Sequence, residues 1–137
     1  MNLDFELNEE EKALRREIIA FAREHLNPGA ADRDREERFD RNLWLKCGEL
    51  RLQGLLVPAE YGGRGLSPLS ATLAIEALGY GCTDGGLAFA LCAHVLACAV
   101  PIVRYGTEEQ KRRWLSGMSD GSLIAANAMS EPASGSD

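Results

Sequence analysis

Residues 121–137 read differently from everything before them. Leu123-Ile124-Ala125-Ala126 is a short apolar run without helical spacing, opened by Gly121, and it reads as a buried strand. After it come Ser130, Glu131 and Pro132, then Ser134-Gly135-Ser136-Asp137. A proline that fixes φ and a glycine that admits close backbone approach are the parts of a turn that grips a ligand. Bare N–H groups in such a turn, with two serine hydroxyls, suit an anionic group such as a pyrophosphate. The same letters also describe an ordinary polar turn leaving a strand. A lone strand carries unpaired backbone groups on both edges. Leu123 to Met129 is therefore expected to open a β domain whose other strands this chain does not supply.

The first 120 residues read as helices. Asn8 and Glu11 form a capping-box start. Leu14, Ile18, Phe21, Ala22 and Leu26 then recur at helical spacing, which predicts a helix from Glu9 to His25 ended by Asn27-Pro28-Gly29. Residues 32–41 hold five acids and four arginines. Their charges nearly cancel, so a solvated surface segment is expected. Asp40 caps a helix carrying Leu43, Trp44, Cys47 and Leu50, which stops near Gly54. Tyr61-Gly-Gly-Arg-Gly65 is a tight turn and not a phosphate loop, because no Lys-Ser/Thr follows it. Ser67-Pro68 starts the next helix, ended by Gly79 to Gly81, and Asp84 caps another.

From Leu87 to Val103 the chain is apolar on all faces, and the spacing predicts a buried central helix kinked or ended by Pro101. The run is shorter than the roughly 20 residues of a membrane span, so no membrane is expected. His94 and Cys98 stand four apart, a metal-ligand spacing, but no Cys/His cluster adds a further ligand, and no metal is expected. Thr107 and Gln110 make a second capping box for a helix running towards Met118. The fold class is therefore all-α: a bundle of five or six helices over residues 1–120, with a terminal strand and turn over 121–137.

The net charge of −6 argues against nucleic acid or an anionic membrane as partner. The start, Met1 to Leu7, is acidic and has the character of neither a signal nor a transit peptide. Four cysteines with no Cys-x-x-Cys pair suggest reduced thiols and a cytoplasmic location.

Three stretches carry a family resemblance. Ser130-Glu131-Pro132-Ala133-Ser134-Gly135-Ser136-Asp137 resembles the Thr-Glu-Pro-x-x-Gly-Ser-Asp signature of acyl-CoA dehydrogenases, with Ser130 in place of Thr. Pro58-Ala-Glu-Tyr-Gly-Gly-Arg-Gly65 resembles that family's Pro-x-x-Tyr-Gly-Gly-x-Gly loop. Pro101-Ile-Val-Arg-Tyr-Gly-Thr-Glu-Glu-Gln-Lys111 resembles its Pro-Ile-x-x-Tyr-Gly-x-x-x-Gln-Lys stretch. The three occur in family order and span most of the chain.

The resemblance implies a helical N-terminal domain followed by a β domain and a C-terminal helical bundle. It implies FAD as cofactor and an acyl-CoA or acyl-carrier-protein thioester as substrate. A carboxylate base removes the α proton, and the β hydrogen leaves as hydride to the flavin, giving a trans-2-enoyl product. On this reading Asn127, Met129 and Ser130 lie along the flavin ring. Gly135 and Ser136 lie near its pyrophosphate, and Ser136 and His94 reach the substrate. Ser130 keeps the hydroxyl donor of the usual Thr and loses a methyl. The family's base sits in the C-terminal bundle, so no catalytic residue is assigned in this chain, Glu131 included. The isolated chain is expected neither to hold FAD tightly nor to turn over. Homo- or hetero-oligomers are expected. Three assignments remain: part of an acyl-CoA dehydrogenase, fragment or split; a non-catalytic subunit pairing with a chain that carries the remaining domains; or a helical interaction module.

Overall fold

The structure is a computed structural model, and it describes residues 6–136. The first five residues of the acidic start, and Asp137 of the motif, lie outside the described residues. Helix α1 spans Glu9–Phe21. Its capping box is closed in both directions, with Asn8 Oδ1 accepting from the Glu11 amide at 2.9 Å and Glu11 Oε2 from the Asn8 amide at 3.1 Å. A wide turn with i→i+5 bonds carries the helix on through Ala22–Leu26. Leu14, Ile18, Ile19 and Phe21 form the buried stripe.

The charge run does not stay wholly in solvent. It folds into α2, Ala30–Arg35, and Arg33 is 5% exposed. The end of α1 leaves carbonyls without helical partners. Arg33 satisfies two of them, donating to Leu26 O at 2.6 Å and Pro28 O at 2.7 Å, and its Nε donates to Asp84 Oδ2 at 2.9 Å. Pattern alone treats all four arginines alike. Three acceptors converging on one of them draw that one inside.

Asp40 caps α3, Arg41–Glu49, which buries Trp44 and Cys47. Gly48 meets the end of the last helix so closely that a Cβ there would run into the Asp120 carbonyl. A 3₁₀ turn at Leu52–Gly54 leads into the buried Leu55 and Val57. The glycine loop then doubles back, with Gly65 N–H donating to Val57 O and Leu66 N–H to Leu55 O. It is the tight turn the sequence predicts. Helix α4, Pro68–Gly81, starts at Ser67 and packs Ala71, Ala74 and Ala77 against α1.

Helix α5, Gly85–Ala93, a second wide turn, His94–Ala99, and α6, Val100–Tyr105, form one rod of 21 residues. Pro101 does not end it. It stands in the first turn of α6, just after the wide turn, where a missing N–H is tolerated. Nor is the rod buried on all faces: Phe89 is 74%, Leu96 51% and Tyr105 82% exposed. By length and composition alone the rod is long and apolar enough to cross a membrane, a test that core helices of soluble bundles also pass. Helix α7, Glu108–Ser119, has its capping box from Thr107 and Gln110 and buries Leu115 and Met118.

Two apolar clusters result. The larger joins α1, α3, α4 and α5; the smaller joins Val57, Cys98, Ala99, Leu115 and Met118, with Ala125 packed on it. Among the described residues there is no strand, and Leu123 to Met129, expected to open a β domain, is irregular here. That segment is irregular because a ladder needs a second strand, and none lies beside it.

Candidate functional site

The site is built where residues 121–136 cross the rod. Gly121 turns the chain out of α7 with φ +80°, and a Cβ there would stand 2.9 Å from Gln53 Nε2 and 3.2 Å from Trp44 Nε1. Both the positive φ and the crowding require glycine. Its carbonyl accepts from Trp44 Nε1 at 3.0 Å, and Arg41 donates to the Ser122 carbonyl at 2.8 Å. Leu123 N–H donates to Gly117 O at 2.8 Å, Ala125 N–H to His94 Nδ1 at 3.2 Å, and Asn127 Nδ2 to Ala97 O at 3.3 Å. The last contact follows from Pro101, which has no N–H to offer the carbonyl four residues before it.

Among the described residues, the amides and carbonyls of 126–130 make no hydrogen bond within the chain, and these residues are exposed, Met129 at 83%. Glu131 and Ser134 then close a tight turn through a pair of backbone bonds, with Pro132 inside it. Among the described residues, none beyond its chain neighbours lies within 4 Å of where a Gly135 side chain would start, and Ser136 is exposed.

Beside this open backbone is an apolar cavity of about 440 Å³. Ala90, Ala93, Ala97 and Cys98 of the rod line one side, Ile124 to Asn127 another, and Phe39 and Trp44 its end. Asn127 is the one side chain in that lining with an amide. A larger cavity of about 650 Å³ sits between α2 and the start of α5, lined by Arg33, Asp34, Glu37, Arg38 and Asp84 among others. It is charged and lies away from the motif, with Arg33 paired to Asp84 and Arg38 to Glu36 and Asp40.

The sequence-predicted residues separate into two groups. Asn127, Met129, Ser130, Gly135 and Ser136 lie together on the exposed tail. His94 lies beneath it, 1% exposed, with both ring nitrogens committed within the chain: Nδ1 to Ala125 and Nε2 to Met118 O at 3.1 Å. Burial lowers its pKa from the usual 6.5, against a smaller upward push from the Met118 carbonyl. Cys98 is likewise buried, and burial raises its thiol pKa. Among the described residues no three His, Cys, Asp or Glu side chains gather as a metal site, and all four cysteines are unpaired. Sequence reasoning missed Trp44, Ala97 and Phe39 as part of this site. A four-residue spacing puts Ala90 near His94 on the rod, but nothing in the letters says what crosses it.

An open backbone with unpaired hydrogen-bonding groups thus runs beside an apolar cavity, carried on a helical bundle. Residues 8–122 match the family model described as "Acyl-CoA dehydrogenase, N-terminal domain", and the chain belongs to that family. It is 42% identical over 135 residues to L-prolyl-[peptidyl-carrier protein] dehydrogenase of Pseudomonas fluorescens, covering 98% of this chain and 35% of that protein. It is 39% identical to mitochondrial isovaleryl-CoA dehydrogenase of Bos taurus, covering 96% of this chain and 31% of that protein. Among solved structures it superposes on the FAD complex of PigA with a TM-score of 0.92 at 38% identity, over 98% of this chain and 35% of that one. The chain thus spans about a third of the length of the curated relatives it matches.

Proposed function

We propose that this chain is the N-terminal part of an FAD-dependent dehydrogenase acting on an acyl-CoA or acyl-carrier-protein thioester, converting it to the trans-2-enoyl product. The observation that carries the proposal is the unpaired backbone of residues 126–130 beside an apolar cavity of about 440 Å³, in the family's flavin signature. The amides of residues 126–130, unpaired among the described residues, and the exposed Ser130 and Ser136 hydroxyls fit the acceptor-rich edge of an isoalloxazine and the anionic pyrophosphate.

When bound, the flavin supplies the hydride-accepting chemistry of the reaction. The chain's own residues bind and orient. The backbone around Met129, the Asn127 segment and the Ser130 hydroxyl would hold the ring. Gly135 and Ser136 would hold the pyrophosphate, with Ser136 also near the substrate. Ala90, Ala93 and Ala97 would wall the acyl group and keep water from it. His94 serves the site from beneath, since neither of its nitrogens is free for substrate. The carboxylate base belongs to the part of the relatives' length that this chain does not span, as do the remaining domains and the oligomer contacts.

The test is a chimera in which residues 1–137 replace the matching third of the prolyl-carrier-protein dehydrogenase. A folded chimera that copurifies with FAD, loses it more readily as Ser130→Ala and is bleached by acyl thioesters supports the proposal. A folded but colourless chimera rejects it.

A further inference from the structure

We propose that His94 is a positioning residue: a neutral imidazole, protonated on Nε2, that sets the course of the flavin-facing segment by holding Ala125 against the rod. This rests on the reading of residues 127–136 as the flavin-binding segment.

The tautomer follows from the partners. A carbonyl only accepts, so the Met118 oxygen 3.1 Å from Nε2 requires the proton there. An amide N–H only donates, so the Ala125 nitrogen 3.2 Å from Nδ1 requires a lone pair there. One neutral tautomer satisfies both. The imidazolium has N–H groups at both positions and would turn one against the Ala125 N–H. No water shell softens that clash, because the ring is 1% exposed.

His94 does not act alone. Trp44 meets its ring edge-on at 5.1 Å and itself holds the Gly121 carbonyl. The two rings brace each other and grip the segment at Gly121 and Ala125. Asn127 adds a third tie at Ala97. After that, among the described residues, no tie is present until the Glu131–Ser134 turn. The ring's surroundings are uncharged. Arg41 of α3 turns to the Gly121 and Ser122 carbonyls, Asp120 at the end of α7 to the Ser122 amide, and Cys98 on the rod is a buried thiol. Burial, the Met118 carbonyl and the Ala125 amide are what act on the ring. Protonation of His94 therefore loosens the stretch that the flavin faces, with no other switch needed.

The experiment uses the full 137-residue chain, labelled with ¹⁵N and without FAD, titrated with acid. Imidazole nitrogen shifts read the tautomer, and amide protection reads the segment. The expected result is the Nε2–H form at neutral pH, and an Ala125 protection factor that falls roughly ten-fold more than that of Leu115 as His94 protonates. His94→Asn places an acceptor near the position of Nδ1 with no proton to gain, so it keeps Ala125 protected and removes the pH dependence. His94→Ala exposes Ala125 at every pH. The Nδ1–H tautomer, or Ala125 protection that tracks Leu115 through the titration, overturns the proposal. Should His94→Ala not fold, the wild-type titration still decides. A colourless chimera beside an intact His94–Ala125 tie would reject the flavin reading and leave the positioning role standing.

Discussion

At the scale of single residues, burial decides which polar groups matter. His94 is neutral inside the fold and titrates freely outside it. Its folded pKa lies below the ordinary 6.5, so at high pH both states are neutral and nothing is lost. As pH falls through 6.5 the unfolded chain takes up the proton first, and stability drops until the folded pKa is passed. The melting temperature should fall on acidification below 6.5, and His94→Asn should lose that part of the slope. Arg33 is the second such group. Arg33→Met leaves Asp84 and two helix-end carbonyls without their donor. Breaking a buried pair from one side costs about 3–5 kcal/mol. Urea unfolding should show a loss of that size, and the double variant Arg33→Met, Asp84→Asn should lose less than the two single losses combined.

At the scale of elements, caps were legible and irregularities were not. Asn8, Asp40, Ser67, Asp84 and Thr107 each start the helix their letters announce, because a short side chain beside its own backbone needs no distant partner. The wide turns at Ala22–Leu26 and His94–Ala99 have no such local signal. Pro101 reads as a terminator, yet the rod passes through it to Tyr105. Its absent N–H leaves Ala97 O to Asn127. Pro101→Ala restores a helical donor to that carbonyl. Circular dichroism should show the helix unchanged and stability raised by about 1–3 kcal/mol, while the Asn127 side-chain amide shifts in NMR spectra as it loses its acceptor.

At the scale of the molecule, the bundle closes one face and leaves another open. Phe89, Leu96 and Tyr105 lie exposed on one rod, and Met129 on the tail. Exposed apolar groups of this kind bind hydrophobic dyes and promote association. The double variant Phe89→Gln, Leu96→Gln should bind less dye and scatter less light at high concentration. It should cost no more than about 0.5 kcal/mol of stability, since neither side chain is in the core.

The helices, their caps, the glycine turn and the family signature were determined by sequence alone. Each is a local matter of 3.6-residue spacing, fixed φ or a side chain bonding its own turn. That the candidate flavin residues share one tail was legible for the same reason, since they lie within ten positions of each other. Only tertiary structure decided that Arg33 goes inside, that His94 looks at Ala125 and Met118 and not outward, and that Trp44 closes the cavity. His94 meets Met118 from 24 positions away and Trp44 meets Gly121 from 77, while Arg33 joins two carbonyls five and seven positions back to Asp84, 51 positions on. The strand expected at Leu123 to Met129 depends on a partner in the same way. Backbone groups pair only with what lies beside them: Leu123 and Ala125 find Gly117 and His94, and the backbone of 126–130 meets no partner among the described residues.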